Sequence, residues 1–217
     1  MRRTTNWTAW GGVMAVLALL TGCSGEEPSL RESSPVQWKA CDALFGAENM
    51  ASLRDALDTG ELRFSNTPLS VDRLRDQLTE EVVEWTPTAK YYSLKEYAPC
   101  SLSGSAPFRT TVEWAKDTLT AVRSSSSPWR HSGGDAYVDD RSVGQSQDTD
   151  VIFPCQVSGA VSAQQERIPL EVRVRAESGR VSSELHEQMV VSLARSLGDT
   201  LKCTNNPNIP DDLKLDR

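Results

Sequence analysis

Four cysteines, Cys41, Cys100, Cys155 and Cys203, follow an amino-terminal segment with the pattern of an export leader, and this pairing of features constrains the chain more than any other. Export takes a protein out of the reducing cytoplasm, so an even set of cysteines reads as two disulfides. Three connectivities are open, and spacing favours Cys41 with Cys100 and Cys155 with Cys203. Closing loops of about 50 to 60 residues would stabilise the fold by roughly 4 kcal/mol each, through restriction of the unfolded chain. None of the four belongs to a C-x-x-C pair, so neither thioredoxin-like redox chemistry nor a zinc site is expected.

Two of these cysteines sit in near copies of one signature, APCSLSG at residues 98–104 and FPCQVSG at residues 153–159. In both, proline fixes the backbone ahead of the cysteine and glycine permits a turn after it. An alternating apolar run follows each copy: FRTTVEWA after the first, IPLEVRVRA after the second. Period-two alternation is the mark of a strand with one buried face. The expected fold is therefore α+β, an antiparallel sheet with helices packed on one face. It is arranged either as two similar halves or as one continuous sheet with internal repetition, each cysteine-bearing strand stapled to a helix or its neighbouring loop.

The leader reads MRRTTNWTAWGGVMAVLALLTGCSG. Arg2 and Arg3 give a basic start, residues 10–20 an apolar core, and small residues precede Cys23, which is the layout of an export signal. The apolar run is short for a permanent bilayer span. Leu20-Thr21-Gly22-Cys23 resembles a bacterial lipobox, the cleavage site of secreted lipoproteins. That resemblance implies removal of residues 1–22, a diacylated Cys23, and attachment to the outer face of the cytoplasmic membrane. More than one acyl chain makes such anchoring stable. The paired arginines leave the export route open, since the apolar pair usual after twin arginines is missing.

The 23 Lys and Arg include two in the leader, leaving 21 against 30 acidic residues, a net charge of −9 from Cys23 onward. This excess of acid disfavours a nucleic-acid partner, whose phosphates are held chiefly by basic groups. It also provides no attraction to an anionic lipid surface. Membrane attachment is thus expected through the lipid alone.

Residues 23–37 are polar, contain two prolines, and read as a flexible tether. The first α+β half is expected over 38–123, a Ser/Gly-rich linker or loop over 124–134 (SSSSPWRHSGG), a second α+β half over 135–204, and an extended tail over 205–217. Within the first half, spacing predicts a helix over 50–59 with Asn49 as its N-cap, and another over 71–81 capped by Ser70. VVEW and KYYSL are strand candidates. In the second half AYVDD reads as a short strand and DRSVGQSQDTD as a polar loop. A long helix from Ser182 or Ser183 presents Leu185, Met189, Val190, Leu193, Leu197 and Leu201 on one stripe.

No sequence signature of catalysis emerges. The two histidines, His131 and His186, read as solvated or packed residues. There is no G-x-S-x-G, S-x-x-K, P-loop, G-x-G-x-x-G or H-E-x-x-H. The Asp pairs at 139–140 and 211–212 lack the spacing of a glycosidase or calcium site and read as turns. No catalytic residue, metal ligand or cofactor is therefore assigned. Trp85 and Trp114 are expected in the core. Trp129 with Arg130, inside the Ser/Gly-rich segment, is the candidate partner contact, because aromatic and arginine side chains dominate interfaces.

The lipobox, the short tether, the Cys41-Asp42-Ala43-Leu44-Phe45 segment and the dispersed cysteines together resemble the small surface lipoproteins of actinobacteria. The resemblance carries no catalytic residue to this chain. It implies a membrane-tethered extracytoplasmic domain that binds a protein or a small envelope ligand. The alternatives are a lipid-anchored hydrolase of envelope material and a structural component of an envelope assembly.

Overall fold

The computed structural model of the chain describes residues 30–57, 63–88, 94–104, 106–143, 146–177 and 179–213, with the backbone alone at 30, 140–143 and 146. The leader, Cys23, the first part of the tether and most of the KYYSL strand candidate lie outside the described residues.

Helices α1 (Leu30–Ser33), α2 (Pro35–Phe45) and α3 (Ala47–Leu57) come first, followed by strand β1 (Arg63–Phe64) and helix α4 (Val71–Glu84). Next are β2 (Leu102–Ser103), β3 (Phe108–Trp114) and the short helix α5 (Leu119–Val122). The chain continues through β4 (Arg130–Gly133), β5 (Ala136–Val143) and β6 (Ser146–Phe153). It ends with α6 (Gln164–Arg167), β7 (Leu170–Glu177) and α7 (Ser183–Leu201). Among the described residues the strands form one seven-stranded antiparallel sheet, in the order β1-β2-β3-β7-β6-β5-β4.

The two alternating runs are the centre of that sheet. β3 and β7 pair directly, from Phe108 opposite Ala176 to Trp114 opposite Leu170. Their inward residues, Phe108, Val112, Trp114, Leu170, Val172, Val174 and Ala176, are fully buried. α7 lies on β6 and β7, α4 lies on β3, and α2 and α3 pack against α7. The stripe predicted for α7 is buried along its length, and Ser182 caps the helix by accepting from the Leu185 N–H at 3.1 Å. The α+β expectation, with the long helices on one face, therefore holds. Among the described residues the opposite face carries a small apolar cluster at one end, where Ala115, Leu119 and Val122 meet Ile152.

The two predicted disulfides are both present, Cys41–Cys100 and Cys155–Cys203. The first ties α2 to the first signature, and the second ties the second signature to the residue beyond the end of α7. Each signature is also pinned by hydrogen bonds. The Thr110 hydroxyl accepts from the Cys100 N–H and donates to its carbonyl at 2.6 Å. In the second copy, the Asn205 amide donates to the Pro154 carbonyl and its oxygen accepts from the Gln156 N–H. Gly159 has φ +87°, a left-handed turn that suits glycine.

Several local expectations are corrected. The tether expected over 23–37 gives way to helix from Leu30, because Pro35 occupies the first turn of α2, where proline's missing N–H costs nothing. α3 starts at Ala47, two residues before the predicted cap. Asn49 lies inside it and donates instead to the Phe45 carbonyl and the Ser192 hydroxyl. VVEW is not a strand: Val82, Val83 and Glu84 complete α4, since Val82 extends the buried Leu74, Leu78 stripe by one turn. The linker expected over 124–134 contains β4, one of the two edge strands of the described sheet. The polar loop expected at 140–150 is the β5–β6 hairpin, whose acidic residues are matched by arginines on β7.

Of the tail expected over 205–217, residues 205–213 are described; they have no regular structure yet are docked. Ile209 and Leu213 are buried in the main core, and Arg195 donates to the Ile209 carbonyl from two nitrogens. The Leu213 N–H donates to Glu187 at 2.9 Å.

Candidate functional site

Alternation dictates what the face of the sheet away from the long helices must carry. When Leu170, Val172, Val174 and Ala176 point into the core, Glu171, Arg173, Arg175 and Glu177 point the other way. β3 contributes Arg109, Thr111 and Glu113 to the same face, and β6 contributes Asp148, Asp150 and Ile152. Tyr137 and Asp139 of β5 and His131 of β4 complete it.

The centre of this face is a lattice of ion pairs. Arg173 binds the Asp150 carboxylate through two nitrogens and reaches Glu171 Oε1 at 3.1 Å. Arg175 binds Asp148 through two nitrogens. Asp150 is only 1% exposed although it faces away from the core, because the arginines lie over it. Such an enclosure is tolerable only when the charges are paired. Burial pushes the Glu171 carboxyl up to about 7, and the neighbouring charges of Asp150 and Glu113 add to the effect against the opposing pull of Arg173. Glu113 is raised in the same direction, again chiefly by burial. For Arg173 burial works against the charge, but the hydrogen bond and charge of Asp150 outweigh it and raise the pKa.

At the β4–β5 end of the same face the character changes from ionic to aromatic and cationic. Trp129 and Tyr137 are half-buried against the α5 cluster. Arg123, at the end of α5, donates to the Tyr137 hydroxyl at 3.0 Å and to Glu166 at 3.2 Å, with its guanidinium 5.8 Å from the Tyr137 ring centre. His131, the register partner of Tyr137, also packs against it, with ring centres 5.3 Å apart. Arg130 begins β4 and is exposed. The structure thus brings Trp129 to one corner with Tyr137, His131 and Arg123, and separates it from Arg130, whose register partner is the core residue Val138, so that Arg130 projects to the opposite face of the edge strand. Trp129 folds against the end of the sheet with part of its ring left outward.

The remaining sequence candidates are dispersed. Trp114 is fully buried and donates from its indole N–H to the Leu78 carbonyl at 3.0 Å, and Trp85 is buried beside it in the main core. His186 is 2% exposed, between α7 and β6, with Nε2 hydrogen-bonded to the Thr149 hydroxyl at 3.0 Å. An imidazole so enclosed does not meet a substrate. Cys23, the lipidation residue, lies outside the described residues. Among the described residues no group of three or more His, Cys, Asp or Glu is placed to hold a metal ion, and no helix is long and apolar enough to cross a membrane.

Sequence reasoning missed the ionic lattice, although the alternation of IPLEVRVRA already placed Glu171, Arg173 and Arg175 on one face. The missing signal is the partner strand: the aspartates of DTDVIF have the composition of a loop until β7 stands beside them. Tyr137, His131 and Arg123 were likewise not grouped with Trp129, because only the β4–β5 register and the α5 turn bring them together. No known protein family, curated protein or solved structure matches this chain.

Proposed function

We propose that this chain is a membrane-tethered extracytoplasmic binding or accessory domain, held at the outer face of the cytoplasmic membrane by lipid on Cys23. Its partner is an envelope protein or a small envelope ligand, bound at the aromatic and cationic corner of the open sheet face. One observation carries this reading: Trp129 and Tyr137 stand half-exposed beside Arg123 and His131, on the face that no long helix covers among the described residues. Large exposed apolar residues are otherwise sparse, limited among the described residues to Val36 and Val83. Aromatic rings and arginines give large contact area and directional hydrogen bonds at low entropic cost, which is why they anchor interfaces. Two disulfides accord with the oxidising side of the membrane that the leader implies.

The test is site-specific photo-crosslinking in intact cells, with the reactive group placed at position 131, which is exposed on the open face, and, as a control on the helical side, at position 54. A discrete adduct from 131 that is absent from 54 is expected. Equal or no adducts from both positions would remove the corner as the recognition surface. Fractionation of a Cys23→Ala variant tests the anchor separately, and retention of that variant in the membrane fraction would sink it.

A further inference from the structure

Both disulfides close on their own side of the sheet centre: Cys41–Cys100 on the β3 side and Cys155–Cys203 on the β7 side. Within the sheet the two sides meet at the β3–β7 pair alone. Near one end of this seam Glu113 and Glu171 are direct register partners on the open face. Opposed residues of adjacent strands place their Cβ atoms about 4.5–5.5 Å apart, and like charges there repel.

The surroundings deepen the conflict. On β6 the register partner of Glu171 is Ile152, and Asp150, opposite Arg173, stands diagonal to Glu171; Asp148 lies further along, opposite Arg175, and approaches Arg173 only to 3.9 Å. Beyond the end of β3 lie Lys116 and Asp117, while Glu96 approaches from the segment ahead of the first signature. Glu81, at the end of α4, also feels the charge of Glu113. Against these carboxyls stand Arg173, already shared between Asp150 and Glu171, Arg175, already bound to Asp148, and Lys116 at the margin.

We propose that the β3–β7 seam is a proton-sensitive joint, in which one proton held by the Glu113–Glu171 pair keeps the two disulfide-stapled sides in register and its loss loosens them. A protonated carboxyl relieves the repulsion and can donate to its neighbour, whereas two carboxylates leave Arg173 to serve three acids. Burial and neighbouring charge support this assignment, since they push Glu171 from its ordinary 4.5 up to about 7. Between those values the folded chain keeps a proton that the unfolded chain has released. Stability present below about 4.5 is therefore lost as the pH rises through about 7. A domain exposed to the medium outside the membrane would experience such changes directly.

The experiment uses the oxidised full-length chain and follows denaturant unfolding from pH 5 to pH 8.5 for wild type, Glu171→Gln and Glu113→Gln. The wild-type unfolding constant is expected to rise by about a hundredfold across the range, and Glu171→Gln is expected to remove most of that rise. A carboxyl-carbon NMR titration of wild type makes the test independent of how the variants fold, with Glu171 expected to titrate near neutrality. An ordinary midpoint near 4.5 for Glu171, or the same pH slope in Glu171→Gln as in wild type, would overturn the proposal.

Discussion

Gly134 lies so close to Asn208 that a Cβ on it would stand 2.1 Å from the Asn208 carbonyl oxygen. The same carbonyl accepts from the Asp135 N–H at 2.8 Å, and the Asn208 N–H donates back to the Asp135 carboxylate at 2.8 Å. The β4–β5 turn and the C-terminal segment are thus clamped backbone to backbone. Gly134 also has φ +52°, which β-carbon-bearing residues adopt at a cost. Gly134→Ala is expected to destabilise the fold by about 2–4 kcal/mol, the range of strain and steric effects in close-packed sites. Denaturant unfolding measures the loss, and limited proteolysis should show earlier cutting after residue 205. An unchanged midpoint would show that the clamp is not tight.

Removal of either disulfide should cost stability independently of the other. The bridges span sequence separations of 59 and 48 residues. Loops of this size correspond to about 4 kcal/mol each on the chain-entropy account. Paired Cys→Ser variants are expected to lower the unfolding midpoint by similar amounts, and thiol labelling of the native, non-reduced protein should detect no free cysteine among the four.

Arg173 is shared by the buried Asp150 and the partly buried Glu171, and its removal takes from both acids the cation that holds them. Arg173→Met is expected to cost about 3 kcal/mol at pH 8, because breaking a buried pair leaves charge uncompensated. The loss should shrink towards pH 5, where Glu171 is protonated in the fold. Lys in the same place should rescue only in part, since it lacks the planar fork that binds Asp150 through two nitrogens. Thermal denaturation at the two pH values separates these outcomes.

Trp129 covers only the end of the sheet beside Ile152, Leu119 and Val122. Trp129→Ala is therefore expected to lower stability modestly, by about 1–2 kcal/mol, since the ring is only partly buried. Its larger effect should be on the crosslinked adduct formed from position 131, reduced at least tenfold. An adduct of undiminished yield would assign Trp129 to packing alone.

What was legible in the sequence, and what was not, divides along a physical line. The alternating runs at 108–114 and 170–176 announced β3 and β7, and the 3.6-residue stripe announced α7, because burial on one face writes itself into a periodic pattern. The cysteine spacing indicated both bridges for the same local reason: each joins its signature to the flanking helical segment on its own side. The sequence did not show that the two alternating strands would be neighbours. That pairing places Glu113 opposite Glu171, and it is a relation between residues 58 positions apart.

The hairpin at 136–153 was hidden because its aspartates look like loop residues until Arg173 and Arg175 stand beside them on β7. VVEW looked like a strand because β-branched residues favour one, and packing of Val82 beside Leu74 and Leu78 on α4 overrode that preference. By itself, then, the sequence determined which faces are apolar, where the stapling cysteines fall and the form of the leader. Only the tertiary structure decided which charged residues share the open face and how their protons are held. Register and burial set those interactions, and both depend on strands meeting across distances that no local pattern encodes.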